Sequence, residues 1–219
     1  MTLVERSEIR GRTSLAGVIF AATYDRITAR TEAAGLGAHR ERLLATASGR
    51  VLEIGAGTGH NLPCYGEAVT ELTVTEPERP MARRLRARVA SIRPDTHVVE
   101  ASAERLPFPD DGFDTVVCTL VLCTVADQTR ALTEISRVLA PGGQLLFIEH
   151  VRADTPRLAW VQDHVNSFQR VFAHGCNCNR RTLDAIRAAG FSAGTLERDE
   201  LKKVPPFVRP LIFGSAVRP

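Results

Sequence analysis

Residues 51–59 read Val-Leu-Glu-Ile-Gly-Ala-Gly-Thr-Gly. An apolar run carrying one acid, Glu53, ends in glycines at alternate positions: Gly55, Gly57 and Gly59. Val51–Ile54 suits a short buried strand. The glycines let the chain turn sharply and bring bare backbone up to a ligand. An acid at the strand's end accepts hydrogen bonds from a cationic or donor-bearing group. A nucleotide-type ligand at the carboxyl edge of a parallel strand accommodates all three features. The spacing is E-x-G-x-G-x-G, not the G-x-G-x-x-G that points a helix N-terminus at a pyrophosphate. A tight strand-to-helix turn without a ligand is the other reading of the glycines.

The surrounding pattern predicts an α/β fold. Glu71–Thr75 reads as a second strand, followed by Glu76, about twenty residues beyond the glycine loop, where an acid can hold both ribose hydroxyls. The alternative for Glu76 is a solvated strand-end cap. Val98 and Val99 open a third strand that runs into a polar turn, Glu100–Glu104. Phe113–Thr119 is the fourth strand, and Ile135–Gly143 is a helix end punctuated by Pro141-Gly142-Gly143. Gln144–Val151 is the fifth strand. Such alternation implies a parallel sheet covered by helices on both faces. Residues 12–47 have helical periodicity and predict an N-terminal lid. Residues 156–172 predict an amphipathic helix with Trp160, Val161, Val165, Phe168 and Phe172 on its apolar side. Pro205 and Pro206 make a poor central strand, so Leu211–Val217 is the expected C-terminal one. With 219 residues, the chain is expected to form one domain. Its parts would be a tail and lid (1–47), a ligand-binding core (48–151) and substrate-side helices with C-terminal strands (152–219).

A net charge of +3 is only mildly basic. Arg79, Arg83, Arg84, Arg86 and Arg88 cluster after strand two and read as a solvated helix face rather than a nucleic-acid patch. The apolar run Leu15–Ala22 is too short to span a bilayer. The five cysteines are odd in number and fit no secreted disulfide framework, which suggests the cytoplasm. Cys176, Cys178 and His174 stand close in sequence, but structural zinc favours C-x₂₋₄-C pairs and four ligands, so no metal is expected. Gly175 reads as a helix cap and Asn177 as a turn residue.

The glycine motif, with the four later motifs in order across residues 51–151, resembles the class I methyltransferases that bind S-adenosylmethionine (SAM). The resemblance implies a Rossmann-like seven-stranded sheet and a SAM site. That site would use Tyr24, Glu53, Gly55, Gly57, Gly59, Asn61, Glu76, Pro77, Met81, Ser102, Ala103, Glu104, Thr119 and Leu120. Glu76 would hold the ribose, and Ser102–Glu104 would border the adenine. Tyr24-Asp25 would close over the cofactor, or Tyr24 would simply pack its helix onto the sheet. Nucleobase N-methyltransferases carry an Asn/Asp-Pro-Pro-aromatic motif after strand four. Here Cys118–Val125 is apolar and sulfur-containing, which implies an uncharged, greasy small-molecule acceptor and no nucleic-acid partner.

Several strings resemble a narrower group, the alkyl-thiol methyltransferases of the methyltransferase-like-seven group. They are Cys118–Val125, Arg137–Gly143, Glu149-His150-Val151, Gly175-Cys176-Asn177 and Val208–Ala216, within a match over roughly residues 50–217. The implied activity is SAM-dependent S-methylation of a small-molecule thiol or dithiol. Animal members carry a long apolar N-terminal anchor and often an Asp after strand two. This chain has no such run and has Glu76, so it reads as a soluble, bacterial-type relative without a membrane span. C- or O-methylation of a quinone- or polyketide-like acceptor is the alternative, and a SAM-binding subunit without catalysis is a third reading. A thiol with a pKa of about 8.5 is already a few per cent ionised at neutral pH. An imidazole could raise that fraction. His150, at the carboxyl edge after strand five, is the first candidate, followed by His164, Asp163 and His174. The bland readings are a loop hydrogen bond for His150 and a helix surface for Asp163-His164. Direct methyl displacement needs no enzyme nucleophile, so Cys118 and Cys123 are expected to be packing thiols. Whether the chain is a monomer or a dimer is left open.

Overall fold

The computed structural model describes residues 15–173 and 175–219; His174 lies outside them. The chain enters through α1 (Leu15–Thr31), a π-helical turn (Glu32–Leu36) and α2 (Gly37–Leu44). There follow β1 (Gly49–Ile54), β2 (Val69–Thr75), α3 (Arg79–Ile92), β3 (His97–Val99) and β4 (Phe113–Thr119). Next come α4 (Gln128–Val138), β5 (Leu139–His150), α5 (Pro156–Phe172), α6 (Thr182–Ala188), β6 (Ser192–Glu200) and β7 (Pro210–Val217). Among the described residues the strands form one seven-stranded sheet in the order β3-β2-β1-β4-β5-β7-β6. The first five run parallel, and β7 is antiparallel to both β5 and β6. The direction of winding reverses between β1 and β4, so a crevice opens at their carboxyl ends.

Strand alternation builds a core on each face. Leu52, Ile54, Val116, Cys118 and Phe147 pack toward α4 and α6 with Leu132, Ile135 and Ile186. Val51, Val117, Leu146 and Ile148 point the other way and meet Leu44 of α2 and Leu85 and Val89 of α3. Both faces are buried, which is why these strands read as continuous apolar runs.

Two sequence expectations change, and one strand is unanticipated. Strand five starts at Leu139, directly after α4, so Pro141-Gly142-Gly143 lies inside the strand and not at a helix end. The pairing with β4 jumps there, from Phe113↔Leu139 to Thr115↔Gln144, and the glycines absorb this bulge. Strand β6 had no signature, because Ser-Ala-Gly-Thr-Leu-Glu-Arg-Asp-Glu is the polar sequence of an edge strand that pairs only with β7. The predicted helix at 156–172 forms, but its aromatic side is not its docking side. Trp160 and Phe168 are 61% and 63% exposed, while Ala159 and Gln162 are buried. The Gln162 carboxamide anchors the helix by donating to the carbonyls of Val151, Cys178 and Phe207 and accepting from the Ala153 amide. Among the described residues no helix is long and apolar enough to cross a membrane.

Candidate functional site

A cavity of about 720 Å³ opens at the carboxyl ends of β1, β2, β4 and β5. Helix α1 covers one side with Phe20, Tyr24, Ile27 and Thr28. Two different ends can be distinguished.

The first end is made of backbone. Gly55, Gly57 and Gly59 take φ of +62°, +60° and +88°, the left-handed region that side-chain-bearing residues resist. A Cβ on Gly55 would lie 2.7 Å from Val121 Cγ2. A Cβ on Gly57 would reach toward Met81 Cε at 3.6 Å and Tyr24 Cε1 at 4.0 Å, across the cavity wall. Glu76 follows β2 and lines the cavity. Its Oε2 accepts from the Gly57 amide at 3.0 Å and its Oε1 from the Glu78 amide at 2.9 Å. Burial pushes the Glu76 carboxyl up to about 7, against those two amide bonds. Pro77, Met81, Ser102, Ala103, Glu104 and Leu120 complete this end, with Tyr24 over it. Asp25, beside Tyr24, accepts from the Thr58 hydroxyl and sits 3.2 Å from His60 Nε2. This ties α1 to the glycine loop. A buried acceptor carboxylate beside an uncovered glycine backbone fits the ribose of a nucleoside cofactor.

Four residues predicted for this site lie outside its wall. The Glu53 carboxylate is 1% exposed and accepts from Asn61 Nδ2 at 2.9 Å and the Tyr65 hydroxyl at 2.8 Å. Asn61 also donates to the Thr119 hydroxyl at 2.9 Å. Buried Arg40 donates to Asn61 Oδ1 at 2.8 Å and Thr119 Oγ1 at 3.0 Å, and pairs with Glu32. Glu53, Asn61 and Thr119 are therefore satisfied by one another and by Arg40. They brace the glycine loop from behind. Gly59 packs against Leu62 and Leu85 and does not face the cavity.

The second end is made of side chains. Leu120 has φ +59°, a costly conformation for a leucine, fixed by its amide bond to the Ile148 carbonyl at 2.7 Å. The turn aims the next three amides at one carboxylate. Glu149 accepts from Val121 and Leu122 at 2.8 Å each and from Cys123 at 3.1 Å. Burial raises its carboxyl to about 7 despite those donors. Its neighbour His150 lines the cavity with Cys123 and Cys176. Cys176 Sγ lies 2.9 Å from His150 Nε2. A hydrogen bond from the Cys123 thiol brings the Cys176 thiol down to about 5; burial opposes this, and His150 adds to it. Burial disfavours the His150 imidazolium, but the Cys176 hydrogen bond and charge, with Glu149, outweigh it and raise its pKa. Cys123 keeps its proton, held by its bond to Cys176 and by burial. His150 Nδ1 is buried without a hydrogen-bond partner among the described residues.

Asp163 and His164 are not brought to the cavity. Asp163 pairs with Arg152 and accepts from Asn179 Nδ2 at 2.9 Å, and the Arg152 bond holds its carboxyl down at about 2. His164 Nδ1 sits 2.7 Å from the Trp160 carbonyl, and its ring lies 3.9 Å from the indole. Both occupy the solvent side of α5. The sequence reading missed Arg40, Glu149 and the meeting of Cys123 with Cys176. A Glu next to a His at a strand end was a usable signal for Glu149; nothing local marked the others.

Comparison with known proteins agrees with the geometry. The family model described as "Methyltransferase domain" matches residues 52–147. Thiol S-methyltransferase TMT1A of Homo sapiens is 36% identical over 173 residues, covering 77% of this chain and 70% of that protein. The ubiquinone/menaquinone biosynthesis C-methyltransferase UbiE of Vibrio vulnificus is 36% identical over 119 residues, 52% of this chain and 46% of that one. Among solved structures, a SAM-dependent methyltransferase of Thermotoga maritima superposes with a TM-score of 0.69 at 24% identity, covering 92% of this chain and 97% of that one.

Proposed function

The chain belongs to the class I SAM-dependent methyltransferases, and from that premise we propose that it methylates the sulfur of a small-molecule thiol. The observation that carries this reading is the acceptor end of the cavity. Cys123, His150 and Cys176 meet there among apolar residues such as Val121, Val125 and Val208. The chain also lacks the Asn/Asp-Pro-Pro-aromatic motif of nucleobase enzymes at this place. The 36% identity to a thiol S-methyltransferase over 77% of the chain supports the same acceptor.

When bound, SAM supplies an electrophilic methyl carbon on a sulfonium. The work left to the protein is orientation, which can contribute several kcal/mol when the reacting atoms are held in line. Glu76 would accept both ribose hydroxyls, and Ser102, Ala103 and Glu104 would border the base. The backbone at Gly55 and Gly57, which carries no Cβ, would let the cofactor's amino-acid portion approach. Tyr24, carried on α1, would cover it and exclude water. At the other end, the acceptor would enter as the thiolate present at neutral pH, its proton already given to solvent. The free base expected of His150 is not the role proposed here, because its Nε2 is turned to Cys176 and its Nδ1 is enclosed. Instead, the His150–Cys176 pair would set the charge that meets an incoming thiolate.

Incubation of the protein with SAM and a panel of an alkyl thiol, a dithiol, a catechol, a quinol and an amine tests this reading. S-adenosylhomocysteine and methylated product should appear with the thiols. Turnover confined to the quinol or catechol would discard the thiol assignment. The partial match to a quinone C-methyltransferase favours that second reading.

A further inference from the structure

We propose that Cys123, His150 and Cys176 form a three-ligand site for a thiophilic divalent metal, zinc by preference, whose open fourth position faces the acceptor end of the cavity. Cys123 Sγ, Cys176 Sγ and a His150 ring nitrogen all lie within 4.8 Å of one another, and all three residues are buried. Tetrahedral zinc with Zn–S of about 2.3 Å and Zn–N of about 2.05 Å sets its ligand atoms about 3.6–3.8 Å apart. The pair at 2.9 Å, Cys176 Sγ and His150 Nε2, would need to open by roughly 0.7 Å to reach that spacing, which side-chain rotation supplies. Two thiolates and a neutral imidazole cancel the charge of one dication, so the loaded cluster is neutral where it is buried. Soft sulfur donors with one imidazole select zinc over magnesium or calcium.

The backbone holds this set together before any ion arrives. Glu149 accepts from the Cys123 amide at 3.1 Å and adjoins His150 in β5. The Asn177 amide donates to the Cys123 carbonyl at 2.8 Å, and its carboxamide does so at 3.2 Å, which seats Cys176 beside Cys123. Gln169 Nε2 approaches Cys176 Sγ at 3.9 Å from α5. Three chain segments are thus tied at the point where their sulfur and nitrogen atoms meet. Three protein ligands plus an exchangeable position is the arrangement of catalytic rather than structural zinc. Without metal, protons shared among the three groups occupy the cluster; metal binding displaces them into solvent. A thiol entering the cavity would then take the fourth position as its thiolate, its proton also passing to solvent. That last step rests on the thiol reading of the acceptor; the metal site itself does not.

The test is a titration of chelator-stripped, reduced protein with Co(II), followed by competition of Zn(II) against a chromophoric chelator. One equivalent per chain should bind, with a thiolate-to-cobalt charge-transfer band and tetrahedral visible bands. Cys123→Ala and Cys176→Ala should each weaken zinc binding by more than about 100-fold, beyond the loss typical of an outer partner, while Cys64→Ala leaves it unchanged. The melting shift produced by SAM, retained in each variant, shows that the fold survives. Absence of the charge-transfer band, or binding untouched by the two substitutions, overturns the inference. Addition of an alkyl thiol should perturb the cobalt spectrum, whereas the matching alcohol should not. Metal bound without thiol turnover would sink the acceptor reading alone; thiol turnover by metal-free protein at full rate would sink the proposed metal role alone.

Discussion

At one end the cavity is walled by glycine backbone and the Glu76 carboxylate, with all but Leu120 and the cover from α1 supplied between Gly55 and Glu104. At the other it is walled by the side chains of Cys123, His150 and Cys176, which come from three separate segments and touch only because the sheet and α5 place them together. The first end depends on local conformation. Its requirement for left-handed backbone and close approach is written as a spacing of glycines. The second depends on tertiary assembly, held by Glu149 and Asn177. A contiguous motif is a poor guide to a site built across chain segments.

The sharpest way to break this contrast is Gly55→Ala. The new methyl would stand 2.7 Å from Val121 Cγ2 at φ +62°. Overpacking of that kind costs about 1–3 kcal/mol and the left-handed backbone a further 1–2. Chemical denaturation should show a loss of that order together with loss of SAM binding. A variant that melts like the parent and still binds SAM would mean that the glycine loop is not conformationally dictated.

Glu76 gives the next largest effect. A hydrogen bond to a charged group contributes about 1.5–3 kcal/mol, so Glu76→Ala should weaken SAM binding on the order of 10–100-fold by calorimetry. Its folded pKa, about 7, lies above the unfolded carboxylate value of about 4.3. The folded protein therefore holds the proton more tightly, and its stability without ligand falls as pH rises from about 4.3 through 7, then levels off. Ribose hydroxyls donate to the ionised form, so SAM affinity should rise with pH up to about 7. Glu76→Gln should flatten that profile; an unchanged slope would remove Glu76 from the ribose.

Glu149→Ala probes the other end. Three buried amides lose their acceptor, at a cost of about 1–3 kcal/mol each in stability, offset in part by removal of a carboxylate that burial disfavours. Acceptor KM should rise about tenfold, more than SAM affinity falls, because Glu149 reaches the glycine loop only through Val121. Equal losses at both substrates would show that the two ends are one cooperative unit.

Most of the fold was legible in the sequence, since two-sided burial makes β1, β4 and β5 apolar runs and punctuation marks their ends. The polar edge strand β6 was not, because an edge paired on one side carries no such run. In the site, Glu76, Gly57, Met81 and Ser102–Glu104 line the cavity. Glu53, Asn61 and Thr119 do not, because a buried guanidinium from α2, Arg40, draws them inward. A lone arginine in a helix gives no sign that it will be buried 79 residues away in sequence from its partner Thr119.

The smallest effect expected belongs to Asp163 and His164, and it matters because they stood next after His150 as acid–base candidates. Their helix docks through Gln162, whose carboxamide bridges Val151, Cys178 and Phe207, and that choice of face turns residues 163 and 164 outward. Asp163 is engaged by Arg152 and Asn179, and His164 by the Trp160 carbonyl. Asp163→Asn and His164→Ala should therefore keep kcat and both KM values within about twofold, as surface substitutions generally do. Gln162→Leu, by contrast, should raise acceptor KM, since it strips three buried carbonyls of their donor and loosens the segment that carries Cys176. If His164→Ala were the more damaging of the two, the acceptor end would have to include the outer face of α5, and the division between a locally written and a tertiary-built half of the cavity would fail at this helix.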